Sequence, residues 1–501
     1  MKKIVMLPLD ERPCNSLFPS KLFNSDDIRI VIPEKLGNKK QPADYDYLCE
    51  FLKKECRDGD GLVVSMDMLL YGGLLPSRLH TLTRETVTER LDLLRKLKKL
   101  YPNLIIYAFA CIMRCPVYSS SDEEPDYYEQ YGEQIHICGN KKHRYDLGLV
   151  SKQEMDEAFS KVPSEVIKDY TDRRAFNLSF NIMTLDLLLD NTIEFLIIPQ
   201  DDSAPYGYTT LDQQVVRQYI DKNNLSDKVF NYPGADEVGL TLLSRMLLHL
   251  NFKNPKAYVK YVREEAKNVI PIYEDRELYK TIDFQLKAAG YNITDNIDDC
   301  DLVLAITAPG GKLYEAWDQP INNDDYNKRN LKQFILEIKE LLEKGKLVTI
   351  CDNAYGNGGD LKVLEVLNNE NMLDKVTGYA GWNTSSNSMG TAIAQGSLGI
   401  LGGKCLDFLM LRYVEDCGYC AVVRASVNEN YLPGLNMNYF DVHEKKGIVS
   451  KEIKRQLEAF IQSNLSSLKD HIFIEDVAMP WIRMFEVDLT VSYKWLVLIE
   501  I

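Results

Sequence analysis

Short apolar strings dominated by Val, Ile and Leu recur along this chain and alternate with longer segments of helical period, and this constrains the fold more than any other feature. A strand buried on both faces reads as a continuous apolar run, and parallel strands need crossover helices to connect them. The candidate strands are Lys3–Leu7, Ile28–Ile32, Gly61–Ser65, Leu104–Cys111, Phe195–Ile198, Lys228–Tyr232, Val269–Tyr273, Leu302–Ile306, Leu347–Cys351 and Val376–Tyr379. Between them, Arg84–Leu100, Thr210–Lys222, Asp236–Leu250, Leu278–Ala289, Lys328–Lys344 and Leu361–Asn369 carry apolar residues at three- and four-residue spacings.

This is an α/β pattern. If Ile28–Ile32 and Val269–Tyr273 are accessory, the remaining strands suit a (β/α)8 TIM-barrel-like domain, with a doubly wound parallel sheet as the alternative. The expected organisation is a barrel-like catalytic domain over residues 1–403, interrupted by a polar, tyrosine-rich insertion over 113–176, then a small C-terminal α+β cap over 404–501. In the cap, YCAVVRASV and Val487–Val491 read as strands.

The net charge of −15 is spread along the chain without a basic stripe, so nucleic acid is not an expected partner. Lysines precede the first apolar run, but only about six apolar residues come before Asp10, Glu11 and Arg12, too few for a secretory signal. No later run reaches the roughly 18 apolar residues of a membrane span. The eleven cysteines are scattered, as reduced thiols of a cytoplasmic protein would be, and the Cys417-x-x-Cys420 spacing lacks a second pair. The expected setting is the cytoplasm.

Nearly every strand runs into a cluster of polar, glycine and aromatic residues, and active sites of α/β folds lie at the carboxyl ends of strands. The first strand delivers Asp10, Glu11 and Arg12; the third delivers Ser65 and Asp67, then Tyr71 and Arg78. Later clusters supply Asp201 and Asp202, Asp236 and Glu237, then Asp352, Asn353 and Tyr355, and finally Tyr379, Trp382 and Asn383. Turn and capping chemistry explains any one of these clusters. Several together point to a site.

The strings LPLDERPCN, SMDMLLYGGLLPSR, QDDSAPYG, YPGADEVGLTLLSRM and GWNTSSNSMGTAIAQG resemble a bacterial family known as domain of unknown function 4127. The resemblance runs from about residue 3 to residue 400 or beyond, and implies no reaction.

Counted without the two accessory strands, Asp201 and Asp202 follow the fourth barrel strand. There they are similar in position to the adjacent acidic pair of retaining hexosaminidases in glycoside hydrolase families 20 and 84. That likeness implies a glycoside hydrolase acting on 2-acetamido sugars, in which the substrate's acetamido group is the nucleophile. Asp201 would steady that group and Asp202 would be the general acid. Arg12 would hold ring hydroxyls, Tyr355 or Tyr379 would donate to the acetamido oxygen, and Trp382 would form a platform under a sugar ring. Asp10, Asp67, Asp236, Glu237, Asp352, Asn353 and Asn383 complete the expected binding residues.

Two other functions use the same residues. Asp10, Glu11, Asp67, Asp201, Asp202, Asp236, Glu237 and Asp352 could supply oxygen ligands to Mg²⁺ or Mn²⁺ in a metal-dependent hydrolase or lyase. The pocket could instead bind a sugar without turnover. In the first reading no cofactor or metal is expected; the partner is a small carbohydrate, with no membrane, and homo-oligomer formation is left open. The six histidines form no zinc motif, and the glycine-rich GNGGD and TAPGG match neither nucleotide-binding fingerprint.

Overall fold

The structure is a computed structural model that describes residues 1–201 and 203–494. It is α/β and divides into two compact units, each assembled from separate stretches of chain. The first comprises Met1–Glu11, Asn24–Leu242 and Tyr273–Arg276; the second comprises Arg12–Phe23, Leu243–Ile272 and Glu277 onward. This division differs from the sequence boundary at residue 403.

In the first unit, β1 (Lys2–Leu7), β2 (Ile28–Val31), β3 (Gly61–Ser65), β4 (Ile105–Phe109), β5 (Phe195–Ile197) and β6 (Val229–Phe230) form a parallel sheet in the order β2-β1-β3-β4-β5-β6. All five residues of β3 are buried, which explains its uninterrupted apolar sequence. Val87, Leu91, Leu94 and Leu97 recur on one face of helix Arg84–Leu100 and share a core with Val5, Leu62, Ile106 and Leu196. Thr83 caps this helix by accepting from the Thr86 amide. Between β4 and β5 lie helices Tyr128–Asp146, Lys152–Phe159 and Ser164–Leu189, with a small core of their own around Tyr128, Tyr170 and Tyr208.

The second unit repeats the arrangement. Its strands are β7 (Lys256–Tyr261), β8 (Asn292–Ile293), β9 (Leu302–Ile306), β10 (Tyr314–Glu315), β11 (Leu347–Cys351), β12 (Tyr355–Gly356) and β13 (Gly378–Ala380). Five of them form a parallel sheet in the order β13-β11-β9-β7-β8, while β10 and β12 pair separately. Counted within each sheet, the order in both begins second, first, third, fourth, fifth, with a sixth strand following in the first sheet; this is the doubly wound order in which the direction of winding reverses beside the first strand.

The TIM-barrel reading is corrected here. Among the described residues the parallel strands form two open sheets of six and five, each with two edges, so the alternative reading is the observed one. Two strand assignments also change. Ile28–Val31 is a member of the first sheet. Val269–Tyr273 forms no strand, and β7 takes the place expected of it.

At the C-terminal end, β14 (Ile472–Ala478) and β15 (Asp488–Tyr493) pair antiparallel beside helix Ile448–Asn464. YCAVVRASV is helical rather than extended: Tyr413–Val423 is a π-helix that continues into the α-helix Arg424–Asn430. A short apolar run fits a buried helix as well as a strand, and the acidic pair Glu415 and Asp416 lies at three- and four-residue spacing from Arg412. No helix among the described residues is long and apolar enough to cross a membrane.

Candidate functional site

The carboxyl edge of the six-stranded sheet gathers acidic side chains by ordinary local rules. Ser65 ends β3 and caps the short helix Met66–Tyr71 by accepting from the Met68 amide at 3.2 Å, which places Asp67 in the first turn. The helix stops at Gly72, in the left-handed region at φ 89°, where a Cβ would lie 2.6 Å from the Pro42 side chain. The chain then turns into helix Leu74–Leu79, which delivers Arg78.

Asp67 is buried, and Oδ2 accepts from the Cys111 amide at 3.0 Å, just beyond β4. Burial pushes its carboxyl up to about 6, against the lowering effect of the Cys111 hydrogen bond. Asp201, beyond β5, accepts from Arg78 Nη2 at 3.0 Å and lies 3.9 Å from Arg114 Nη1. Asp67 and Asp201 line one small cavity with Tyr71, Arg78, Cys111 and Arg114; its volume of about 10 Å³ is room for one water. Asp67, Asp201 and Asp236 all act to raise the Cys111 thiol, after burial itself.

The two arginines are held by a pair of glutamates. Glu124 Oε1 accepts from Arg78 Nη1 at 3.0 Å and Arg114 Nε at 2.8 Å; Glu123 Oε2 accepts from Arg114 Nη2 at 2.7 Å and Arg78 Nη1 at 3.3 Å. Beyond β6, burial pushes the Glu237 carboxyl up to about 8; its own and the Ala235 amides oppose this, and Asp236 and Glu274 add to it. Three donors of this edge, Tyr71 Oη, Gln200 Nε2 and Ser203 Oγ, are buried without a hydrogen-bond partner among the described residues. Buried polar groups are nearly always paired, so such a set at the end of a parallel sheet is where a polar guest would be recognised.

The remaining sequence-predicted residues belong to the second unit and are engaged in packing. Asp352 is 1% exposed; Oδ1 accepts from Thr307 Oγ1 at 2.7 Å, and Oδ2 accepts from the Asp360 amide at 2.7 Å and Tyr379 Oη at 2.5 Å. Burial pushes it up to about 6, with Asp360 adding to the shift. Asn353 accepts from the Ala308 amide and donates to Ser385. Tyr355 packs on Tyr326 with ring centres 5.0 Å apart.

Trp382 is not the exposed platform expected of it. Its ring meets Phe18 edge-on at 6.0 Å, its Nε1 donates to Thr391 at 3.1 Å, and it is buried. Asn383 sits at φ 50° and accepts from the Asn357 amide at 2.7 Å. Arg12 lies 3.6 Å from Glu486 and 4.8 Å from the Trp481 ring centre, so it too is buried in the second unit.

Of the expected residues, Asp10, Asp67, Asp201, Asp236 and Glu237 belong to the first unit, and Arg12, Asp352, Asn353, Tyr355, Trp382 and Asn383 to the second. Asp202 lies outside the described residues.

The sequence reading missed Arg114, Glu123 and Glu124. Their signal was present in the acidic string after Arg114, which reads as insertion surface until Arg78 is known to face it. It also missed Arg412 and Asp416 on and beside the π-helix. Asp416 accepts from the Gly381 amide at 2.7 Å and pairs with Arg412 at 3.1 Å, and burial, opposed by Arg412, pushes it up to about 8. Among the described residues no three His, Cys, Asp or Glu side chains converge as a metal site would require.

Fold and site together define an α/β protein of two doubly wound units, with a carboxyl-rich site at the strand ends of one of them. The chain belongs to the family described as Protein of unknown function (DUF4127), whose model matches residues 4–490. No curated protein matches it.

Proposed function

We propose that the chain is a cytoplasmic glycoside hydrolase acting on 2-acetamido sugars, with Asp67 as the proton donor and Asp201 as the carboxylate that steadies positive charge. The observation that carries this reading is the contrast between two carboxyl groups on one cavity. Asp67 is pushed up to about 6 by burial, while Asp201 is paired with Arg78 at 3.0 Å. Unlike environments for neighbouring carboxyls are how one site holds both an acid and a charged partner near neutral pH.

The cavity has room for one water, so in this mechanism the proton of Asp67 reaches the departing glycosidic oxygen through that water as the acetamido oxygen attacks the anomeric carbon and the C–O bond breaks. Asp201 faces the resulting oxazolinium charge. A water then opens the ring, giving one proton back to Asp67 and leaving the sugar with its configuration retained. The proton donor thus moves from Asp202 to Asp67, which lines the cavity with Asp201.

The second reading, a hydrolase using Mg²⁺ or Mn²⁺, rests on Asp236 and Glu274 both raising Glu237, a repulsion that a divalent cation would ease, although no three such side chains converge among the described residues. The test is turnover of nitrophenyl glycosides with and without the 2-acetamido group, before and after chelation. Turnover confined to 2-acetamido sugars and indifferent to EDTA supports the first reading. Turnover lost on chelation supports the second, and saturable binding without turnover supports a sugar-binding protein.

A further inference from the structure

Beside Leu79, the residue that follows Arg78, the first unit has an open cleft of about 500 Å³, within the range of small-molecule sites. Its apolar strip is Leu79, Pro125 and Val166, beside the ring of Tyr127. Its polar wall is preset: Asp169 accepts from Tyr127 Oη at 2.7 Å and from Arg173 Nη2 at 2.8 Å, and its side chain stays 45% exposed. Lys40 stands in the same cleft, donating to the carbonyls of Ser121 at 2.6 Å and Glu124 at 3.0 Å.

We infer that this cleft is a second saccharide-binding site. A carboxylate and a guanidinium side by side accept from and donate to adjacent hydroxyls at once, and the tyrosine ring with its apolar strip suits the C–H face of a pyranose. The charge count selects against anionic ligands. Asp126, Glu165 and Asp169 face Lys40 and Arg173 in one lining, so a phosphate meets more carboxylates than cations and a neutral polyol meets both donors and acceptors.

The cleft is tied to the cavity through single residues. Arg173 Nη1 donates to the Arg78 carbonyl at 3.0 Å, and Lys40 grips the carbonyl of Glu124. Arg78 and Glu124 are the residues whose side chains pair at 3.0 Å beside Asp201. A ring bound in the cleft bears on the two backbone contacts that set the arginine facing Asp201.

The identity of the ligand rests on the carbohydrate reading above, and the test separates the two. Titration calorimetry of the full chain with N,N′-diacetylchitobiose is compared for wild type, Asp67→Asn, Tyr127→Ala and Asp126→Ala. Asp126 is fully exposed, so its replacement leaves the fold intact. With Asp67→Asn used as the common background, in which the disaccharide is not turned over, the inference expects Tyr127→Ala to bind at least tenfold more weakly and Asp126→Ala several-fold more weakly. Disaccharide binding unchanged in both cleft variants overturns it, as does the absence of saccharide binding in wild type. Cleft-dependent binding without any glycoside turnover would retire the hydrolase reading alone; turnover with unchanged cleft variants would retire the second site alone.

Discussion

The two units share a strand order but treat the carboxyl groups at their strand ends in opposite ways. In the second, Asp352 accepts hydrogen bonds from Thr307, Tyr379 and the Asp360 amide, and Asp416 accepts from the Gly381 amide and lies 3.1 Å from Arg412, so both carboxyls are engaged within their own unit. In the first, Asp67 shares a cavity with Asp201 and an unpartnered tyrosine hydroxyl, and Asp201 keeps its side chain 23% exposed. Burial raises carboxyl groups in both. A perturbed carboxyl is therefore not a site by itself; what distinguishes the first unit is that its carboxyls line a cavity.

The comparison breaks most visibly at Asp67. Asp67→Asn keeps an oxygen for the Cys111 amide but has no proton to give, so kcat/KM should fall about 10²- to 10⁴-fold with an unchanged melting temperature. The same exchange at Asp352 should leave kcat/KM within about threefold. Next in size is the cluster around Arg412: Arg412→Met takes the guanidinium from Glu415 and Asp416 and should cost about 1–3 kcal/mol in urea unfolding near neutral pH, with the folded protein still active.

A pH series sharpens the contrast further. The Asp416 carboxyl is raised from 3.8 to about 8 and that of Asp352 to about 6, so each holds its proton in the fold and releases it on unfolding. Their stabilisation is complete below about pH 4 and is lost as pH rises towards 8, on the order of a few kcal/mol in all. Asp416→Asn should flatten the decline above pH 6 in denaturant titrations. The smallest effect is expected at Tyr71→Phe, which removes an unpartnered hydroxyl: activity down less than about tenfold, and stability unchanged or higher by up to ~1 kcal/mol.

Much of this scaffold is readable in the sequence because buried parallel strands announce themselves as apolar runs. The exceptions have physical causes. β7 reads KAYVKY, whose lysines at either side of a short alternation disguise a strand that lies between two others. Val269–Tyr273 looked apolar, but Pro271 in its middle has no N–H to give a neighbouring strand. Strand count alone could not choose between a barrel and open sheets, because closure depends on which edges pair.

At the site, Asp67, Asp201, Asp236 and Glu237 were legible from their position after strands. The Arg78–Asp201 contact spans 123 residues and left no local trace, and Trp382, which sequence offers as a platform, is claimed by Phe18 and Thr391.

The most direct test of the central claim is the pH dependence of kcat/KM on a 2-acetamido nitrophenyl glycoside, measured for wild type and Asp67→Asn. The account predicts a wild-type limb falling above pH about 6, as Asp67 loses the proton it must donate, and a residual rate in the variant without that limb. A variant that retains full activity, or the same limb persisting without Asp67, would contradict it.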